Sequence, residues 1–286
     1  MAAQAETAAA SPIGVFDSGL GGLTVLRRLR QHLPGEDFIY LGDSARVPYG
    51  TKSPETVRRF ALEDVAFLSR FAPKVVVVAC NTASAVALPE LRARSAAKVV
   101  GVVRPAAEQA VRIAGAGPIG VIGTEATIAS DAHRKAVAAI DGRIEVITVA
   151  APLLVPIVEE GRPQDDPVVL SVLSDYLRPL QRCRPTVLVL GCTHYPLLAR
   201  AVGKLMGPET HLLDPAEAVA EVVEQHLRQR GLLRQRRHEG ALRCFSTDTA
   251  ERFAGLARRF LGHEVDDVQW VGTDELTGAG REAVEA

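Results

Sequence analysis

The chain has 286 residues, 47% hydrophobic and 23% charged, which is ample for two ordinary α/β cores and unlike a disordered or fibrous chain. Lys and Arg (33) nearly balance Asp and Glu (34), so bulk charge argues neither for nucleic acid nor for an anionic membrane. Four cysteines without CxxC spacing exclude a disulfide framework, and the start Met1–Ala10 lacks a signal peptide's basic and apolar regions; a cytoplasmic protein with reduced thiols and no membrane span is expected.

Residues 1–11 read as a loose end. Ile13–Phe16 is the first predicted strand. It runs into Asp17-Ser18-Gly19-Leu20-Gly21-Gly22 and a helix starting near Leu23. Glycines there let backbone N–H groups turn toward an anion, and the helix N-terminus adds positive charge. A dinucleotide fingerprint wants glycine at position 24, where Thr24 stands, and there is no P-loop lysine, so a carboxylate suits the loop as well as a phosphate. The plain alternative is a strand-to-helix turn capped by Asp17.

Phe38–Leu41 is the second strand, ending in Gly42-Asp43. Pro48-Tyr49-Gly50 then reads as a turn with an exposed aromatic hydroxyl, and the segment as a ligand loop; the plain alternative is that Asp43 begins a loop and Tyr49 packs. A helix is predicted over Ser53–Phe71. The strand Val75–Ala79 is wholly apolar and runs into Cys80-Asn81-Thr82; Val99–Val102 follows.

A second series then begins. The strand Ile119–Ile122 leads to Gly123-Thr124-Glu125-Ala126-Thr127, where Thr124 and Thr127 could serve a ligand or Thr124 a helix cap. A helix over Ile128–Ile140, a strand at Ile144–Thr148 and a strand-to-turn stretch Leu154–Val158 come next. Glu159 follows as an acid near a site or as plain surface charge. A helix over Pro167–Arg182 precedes the strand Val187–Leu190, which runs into Gly191-Cys192-Thr193-His194. Then come His211–Leu213, a helix over Ala216–Arg230, and the basic run Arg234-Gln235-Arg236-Arg237, read as a solvated helix end. The strand Ala241–Phe245, a helix over Thr249–Leu261, the strand Val268–Trp270 and a loose tail complete the chain.

Alternation of continuously apolar strands with helical patterns predicts parallel sheets covered on both faces. Pro12–Asp17 resembles Pro118–Gly123, and the strand ending at Cys80 resembles the strand ending at Cys192, in the same order and at nearly the same spacing. Two α/β halves of like topology would each put one cysteine at a strand's carboxyl end, the edge where open α/β sheets bind ligands. A free cysteine is most often a small buried hydrophobe. These two instead sit at strand ends, each followed by groups that can hydrogen-bond a carboxylate or ammonium group: Asn81 and Thr82, then Thr193 and His194. His194 is close enough to tune Cys192. A thiolate removes a proton and a thiol returns one, which is what inverting a carbon centre requires. Cys183 and Cys244 lack such surroundings and read as structural. A zinc site from Cys80, Cys192 and His194 would lack both a paired half-site and a fourth ligand, so no metal is expected. Paired thiols also make a cofactor such as pyridoxal phosphate unnecessary, and none is expected.

Together, Phe16–Gly22, Pro48-Tyr49-Gly50, Ala79–Ala83 and Gly191–Leu198 resemble the signature segments of bacterial glutamate racemases, with Thr124–Ile128 and Val155–Glu159 as lesser matches. The segments span about Ile13 to Asp248 in the family's order. The resemblance implies two similar doubly wound α/β domains related by a pseudo-twofold, with the active site in the cleft between them. On that basis the expected domains are 12–104 with 214–270, and 105–213, leaving tails 1–11 and 272–286. It implies cofactor-free interconversion of L- and D-glutamate for peptidoglycan synthesis. Cys80 and Cys192 match the catalytic thiols, acting on D- and L-glutamate respectively. Asp17 and His194 match assisting residues, with Asp43 and Glu159 as lesser candidates. Asp17, Ser18, Tyr49, Gly50, Asn81, Thr82, Thr124, Thr127, Thr193 and His194 match the substrate shell. A homodimer is expected, although the sequence does not give its face. DNA gyrase, which some racemases of this family are reported to restrain, gains no support from the near-neutral charge. The chain departs from many relatives at His133, where they carry tyrosine, and at Pro215, where they carry serine. Kept beside this reading are a racemase for aspartate or another acidic amino acid, and a non-catalytic binding protein on the same scaffold.

Overall fold

The computed structural model describes residues 8–236, 238–265 and 267–277. Ten strands form in it: β1 Ile13–Asp17, β2 Phe38–Gly42, β3 Val75–Val78, β4 Lys98–Gly101, β5 Ile119–Gly123, β6 Val146–Ala150, β7 Val187–Gly191, β8 His211–Leu213, β9 Leu242–Ser246 and β10 Val268–Trp270. All ten predicted strands are present, with ends moved by at most two residues. Every pairing between them is parallel.

The strands form two sheets, one ordered β10-β9-β2-β1-β3-β4 and the other β6-β5-β7-β8. The run β2-β1-β3-β4 in the first has the same order as β6-β5-β7-β8 in the second, so the repeat in the sequence is a repeat of topology. β1, β3, β5 and β7 lie inside their sheets, and every residue in them is buried. That is why they read as unbroken apolar runs: both faces meet helices, so no position is left for a polar residue. In each sheet the chain changes direction beside the first strand of its series. The crevice at that switch point opens between the carboxyl ends of β1 and β3, and again between those of β5 and β7. Cys80 and Cys192 follow the second strand of each pair.

Three long helices start alike. Ser53, Asp166 and Asp214 accept a hydrogen bond from the backbone of Thr56, Val168 and Ala216, and Pro54, Pro167 and Pro215 take the first helical position. A side-chain acceptor followed by proline uses the end of a helix where an N–H has no partner in any case. Pro215 therefore suits its place. His133 is buried on the helix Ala132–Ala138, and burial pushes it down to about 4, so it is neutral.

Five expectations change. The single helix over Ile128–Ile140 is two, Glu125–Ala129 and Ala132–Ala138, broken at Asp131 with φ 58°. The Ser130 hydroxyl donates to Thr127 O at 2.6 Å and accepts from Ala132 N at 3.2 Å, competing with the helical ladder. Leu154–Glu160 is a helix rather than a strand-to-turn stretch. Arg234 and Arg236 lie beyond the helix Pro215–Arg230, and both pair with Asp37, so they are not a solvated helix end; Arg237 lies outside the described residues. Thr273–Leu276 is a helical turn with Leu276 buried rather than part of a loose tail. Cys183 is exposed at a helix end, whereas Cys244 is buried. At the other terminus Lys74 Nζ donates to Ala9 O at 2.7 Å; residues 1–7 and 278–286 lie outside the described residues.

Candidate active site

Asp17 ends β1 with its carboxylate turned into the following loop. Its Oδ2 accepts from Gly19 N at 3.1 Å, while Oδ1 is buried without a protein partner. Burial raises its pKa, against the pull of His194 and of the Gly22 and Gly19 N–H groups. The glycines of this loop do more than offer N–H groups. A Cβ on Gly22 would come within 2.4 Å of Asp17 Cβ, and one on Gly21 within 2.2 Å of Thr193 Oγ1 and 2.5 Å of His194 Nδ1. Only a residue without a side chain lets the loop after β1 lie against the loop after β7. The Thr24 hydroxyl lies 2.9 Å from Gly21 O and 3.1 Å from Thr193 O, so its one proton is shared between the two loops.

Cys80 follows β3 and caps the helix Asn81–Val86, its sulfur accepting from Ala83 N at 3.4 Å. The Ser18 hydroxyl lies 3.6 Å from the sulfur. Burial, with the nearby charge of Asp17, pushes the Cys80 thiol up to about 12. Cys80 is therefore held as a neutral thiol. Beside it Asn81 is buried, and its Oδ1 has no protein partner.

Cys192 has a different neighbour. His194 Nδ1 lies 3.9 Å from Cys192 Sγ, and His194 Nε2 lies 3.1 Å from Glu159 Oε1. The ring packs edge-on against Phe260, with centroids 5.2 Å apart. Burial lowers its pKa, but contact with Cys192 and Glu159 and the charge of Asp17 outweigh that, raising His194 to about 10. The Cys192 sulfur therefore faces a cation. The two thiols thus sit in unlike electrostatic settings, one beside a carboxylate and one beside a cation.

Hydroxyls join the halves at a third point. Thr82 Oγ1 lies 2.9 Å from Thr124 Oγ1 and 3.1 Å from Thr127 Oγ1, and the last two are 2.9 Å apart. Thr124 also caps its helix by accepting from Thr127 N, so the cap and the hydroxyl cluster coexist. Gly50 lies against Thr124, where a Cβ would come within 2.6 Å. An adjoining crevice is lined from both halves by Gly19, Leu20, Val47, Glu159, Phe253 and Leu256.

The structure thus brings Asp17, Ser18, Gly50, Cys80, Asn81, Thr82, Thr124, Thr127, Glu159, Cys192, Thr193 and His194 to the facing sheet edges. It treats Asp43 and Tyr49 differently. Asp43 is bonded to Arg46, Tyr49 and Thr247. Tyr49 is buried rather than exposed, and its hydroxyl meets Asp43 and Asp64. Sequence reasoning missed Arg46, Asp64 and Phe260. The signal for Asp64 was an acid at helical spacing from Val57 and Ala61 on a buried face. Among the described residues no three His, Cys, Asp or Glu side chains converge as metal ligands.

The family model described as Asp/Glu/Hydantoin racemase matches residues 13–223. The glutamate racemase of Geobacter metallireducens is 48% identical over 259 residues, covering 91% of this chain and 96% of that one. Among solved structures, glutamate racemase RacE1 from Bacillus anthracis superposes with a TM-score of 0.88 at 39% identity, covering 91% of this chain and 97% of that one. Glutamate racemase from Francisella tularensis, in complex with D-glutamate, gives a TM-score of 0.87 at 34% identity, covering 93% and 99%. Likeness on this scale, along nearly the whole of both chains, means that this chain belongs to the Asp/Glu/Hydantoin racemase family.

Proposed function

We propose that the protein is a glutamate racemase in which Cys80 and Cys192 work from opposite faces of the substrate, without a cofactor. The observation that carries this reading is the pair of thiols at equivalent strand ends, one held neutral and the other beside an imidazolium. Glutamate as substrate is supported by the curated relatives and by the Francisella complex. The two halves are taken to face each other about a pseudo-twofold, with domain boundaries near residues 104 and 213.

In the L-to-D direction Cys192, as thiolate, takes the α-hydrogen. Cys80, as thiol, delivers its proton to the opposite face. The turnover leaves Cys192 protonated and Cys80 ionised, which is the form that acts on D-glutamate. Asp17 Oδ1 and Asn81 Oδ1, buried acceptors without protein partners, suit the substrate ammonium. Backbone N–H groups and the hydroxyls of Ser18, Thr82 and Thr193 suit the carboxylates and steady the charge that grows as the proton leaves. Thr124 and Thr127 hold the Thr82 hydroxyl, and Glu159 orients His194. Tyr49 contributes through the backbone of its turn, and Asp43 through the scaffold beneath it. No helix among the described residues is long and apolar enough to cross a membrane. Our reading is that the enzyme works in the cytoplasm, supplying D-glutamate for peptidoglycan, and that its assembly is a homodimer, which light scattering would test.

Proton NMR in D₂O tests the activity. With no cofactor added, the α-proton signal of either enantiomer should vanish as the other appears, while aspartate keeps its own, since one missing methylene leaves the distal carboxylate short of its donors. Exchange of aspartate but not glutamate would overturn the substrate, and exchange of neither would overturn the activity.

A pH profile tests the setting of Cys192. His194 is raised from its ordinary 6.5 to about 10. Its imidazolium, and the stability it lends, is complete below the ordinary value and lost as pH rises through about 10. kcat/KM should therefore fall above about 10, and in Glu159→Gln the fall should begin at lower pH. The substrate's amine titrates alike in both proteins, so the difference between profiles isolates the histidine. Superimposable profiles would remove Glu159 from the mechanism.

A further inference from the structure

Beneath the turn at Tyr49-Gly50 lies a cluster of ionisable groups that the proton transfers do not use. Asp43 follows β2, Arg46 and Tyr49 come from the next two turns, and Glu63 and Asp64 come from the helix Pro54–Ser69. Both aspartates are 0% exposed. Arg46 Nε donates to Asp43 Oδ2 at 2.7 Å and Oδ1 at 3.0 Å, Nη2 donates to Asp64 Oδ1 at 3.1 Å, and Nη1 donates to Glu63. The guanidinium stacks 4.1 Å above the Phe60 ring. Three carboxyl groups share one cation.

The Tyr49 hydroxyl lies within hydrogen-bond reach of two carboxyl oxygens, Asp43 Oδ2 and, at 2.9 Å, Asp64 Oδ2. A phenol has one proton to donate. Were both aspartates ionised, one buried carboxylate oxygen would face a phenol lone pair, which is costly in a low-dielectric site. Asp43 already accepts from Arg46, and from the Thr247 hydroxyl at 3.0 Å, and is the natural carboxylate. Among the described residues Asp64 Oδ2 meets Tyr49 alone.

We propose that Asp64 is a positioning residue: it keeps a proton in the working enzyme, donates that hydrogen bond to the Tyr49 oxygen, and so fixes the Tyr49–Gly50 turn against the substrate carboxylate. Tyr49 in turn donates to Asp43, and Arg46 closes the chain. Each of the four aspartate oxygens then has a partner, and two anions rather than three face the guanidinium. The titratable groups facing Asp64 are Asp43, Arg46, Glu63 and Tyr49. Burial first, then the charge of Asp43, drives Asp64 well above the usual carboxylate range, against the opposing pull of Arg46. The role in binding rests on the reading of this turn as part of a glutamate site; the proton does not.

Asp64→Asn separates the two protonation states. Its amide oxygen accepts from Arg46 and its NH₂ donates to Tyr49, so it copies the neutral acid and cannot copy the carboxylate. KM for glutamate should stay within about twofold and the thermal midpoint should hold. Asp64→Leu, which cannot donate, should raise KM on the order of tenfold, with kcat changed much less. A large loss of stability and affinity in Asp64→Asn would mean an ionised Asp64 and overturn the proposal. Carboxyl ¹³C NMR of aspartate-labelled protein without substrate reads the proton directly, whether or not the protein is a racemase. The resonance missing in Asp64→Asn should stay at its neutral-acid position between about pH 5 and 8, whereas titration near about 4 would overturn the proposal. A persistent proton with KM unchanged in Asp64→Leu would overturn the positioning role.

Discussion

Cys80→Ser is expected to lower kcat/KM for racemisation by about 10³-fold or more, and equally in both directions. The equality is thermodynamic. L- and D-glutamate have the same free energy, so their kcat/KM values must match in any variant, and a lost thiol cannot slow one direction alone. The size of the effect follows from acidity: a hydroxyl neither yields its proton as a thiol does nor forms a base at usable pH. An irreversible reaction separates the two thiols. A glutamate analogue with a leaving group on its β-carbon needs only one base, which takes the α-hydrogen as the leaving group departs with its electron pair. Cys80→Ser retains Cys192 beside His194, so it should still eliminate from the L-analogue and not from the D-analogue. Cys192→Ser should show the reverse. Racemisation near the wild-type rate in either serine variant would end the two-thiol account.

Gly21→Ala should also be damaging, although less so and although residue 21 carries no chemistry. The added Cβ would stand 2.2 Å from Thr193 Oγ1 and 2.5 Å from His194 Nδ1, well inside van der Waals contact. Thr193 cannot retreat freely, because its carbonyl shares the Thr24 hydroxyl with Gly21 O. His194 is fixed between Glu159 and Phe260. The loop after β1 and the loop after β7 must therefore part, shifting the imidazolium relative to Cys192. A displacement of about 1 Å costs on the order of 100-fold in rate, and the overpacking should lower stability by about 1–3 kcal/mol. Steady-state kinetics and thermal unfolding would check both. An alanine variant with wild-type kcat/KM would mean that this contact does not set the catalytic geometry.

Much of the architecture was legible because burial on both faces leaves a strand no polar position. Val75–Val78 and Val187–Gly191 could be placed from composition alone. Their repeated order along the chain already carries the matched topology. The break at Asp131 was not legible, because apolar spacing continues across it through Ile128, Ala132, Ala136 and Ile140. Ser130 ends the first helix through side-chain bonds that periodicity does not register. The loop after β2 misled for a related reason. Pro48-Tyr49-Gly50 has turn chemistry, and turns are ordinarily exposed. Tyr49 is nonetheless buried, because Asp64 on the helix Pro54–Ser69 supplies a partner for its hydroxyl that no local pattern reveals.

By itself the sequence determined which candidate residues stand at which strand ends, since strand periodicity and residue type are local properties. Only the tertiary structure decided how the thiols differ. Cys80 and Cys192 look alike in sequence, yet one lies beside Asp17 and the other beside a histidine held by Glu159. Asp17 and Cys80 lie in one half of the chain, and Cys192, His194 and Glu159 in the other. The charge each thiol meets comes from within its own half, from Asp17 in the one case and from His194 held by Glu159 in the other; electrostatics inside a protein depends on distances through space and on exclusion of water, neither of which runs along the chain.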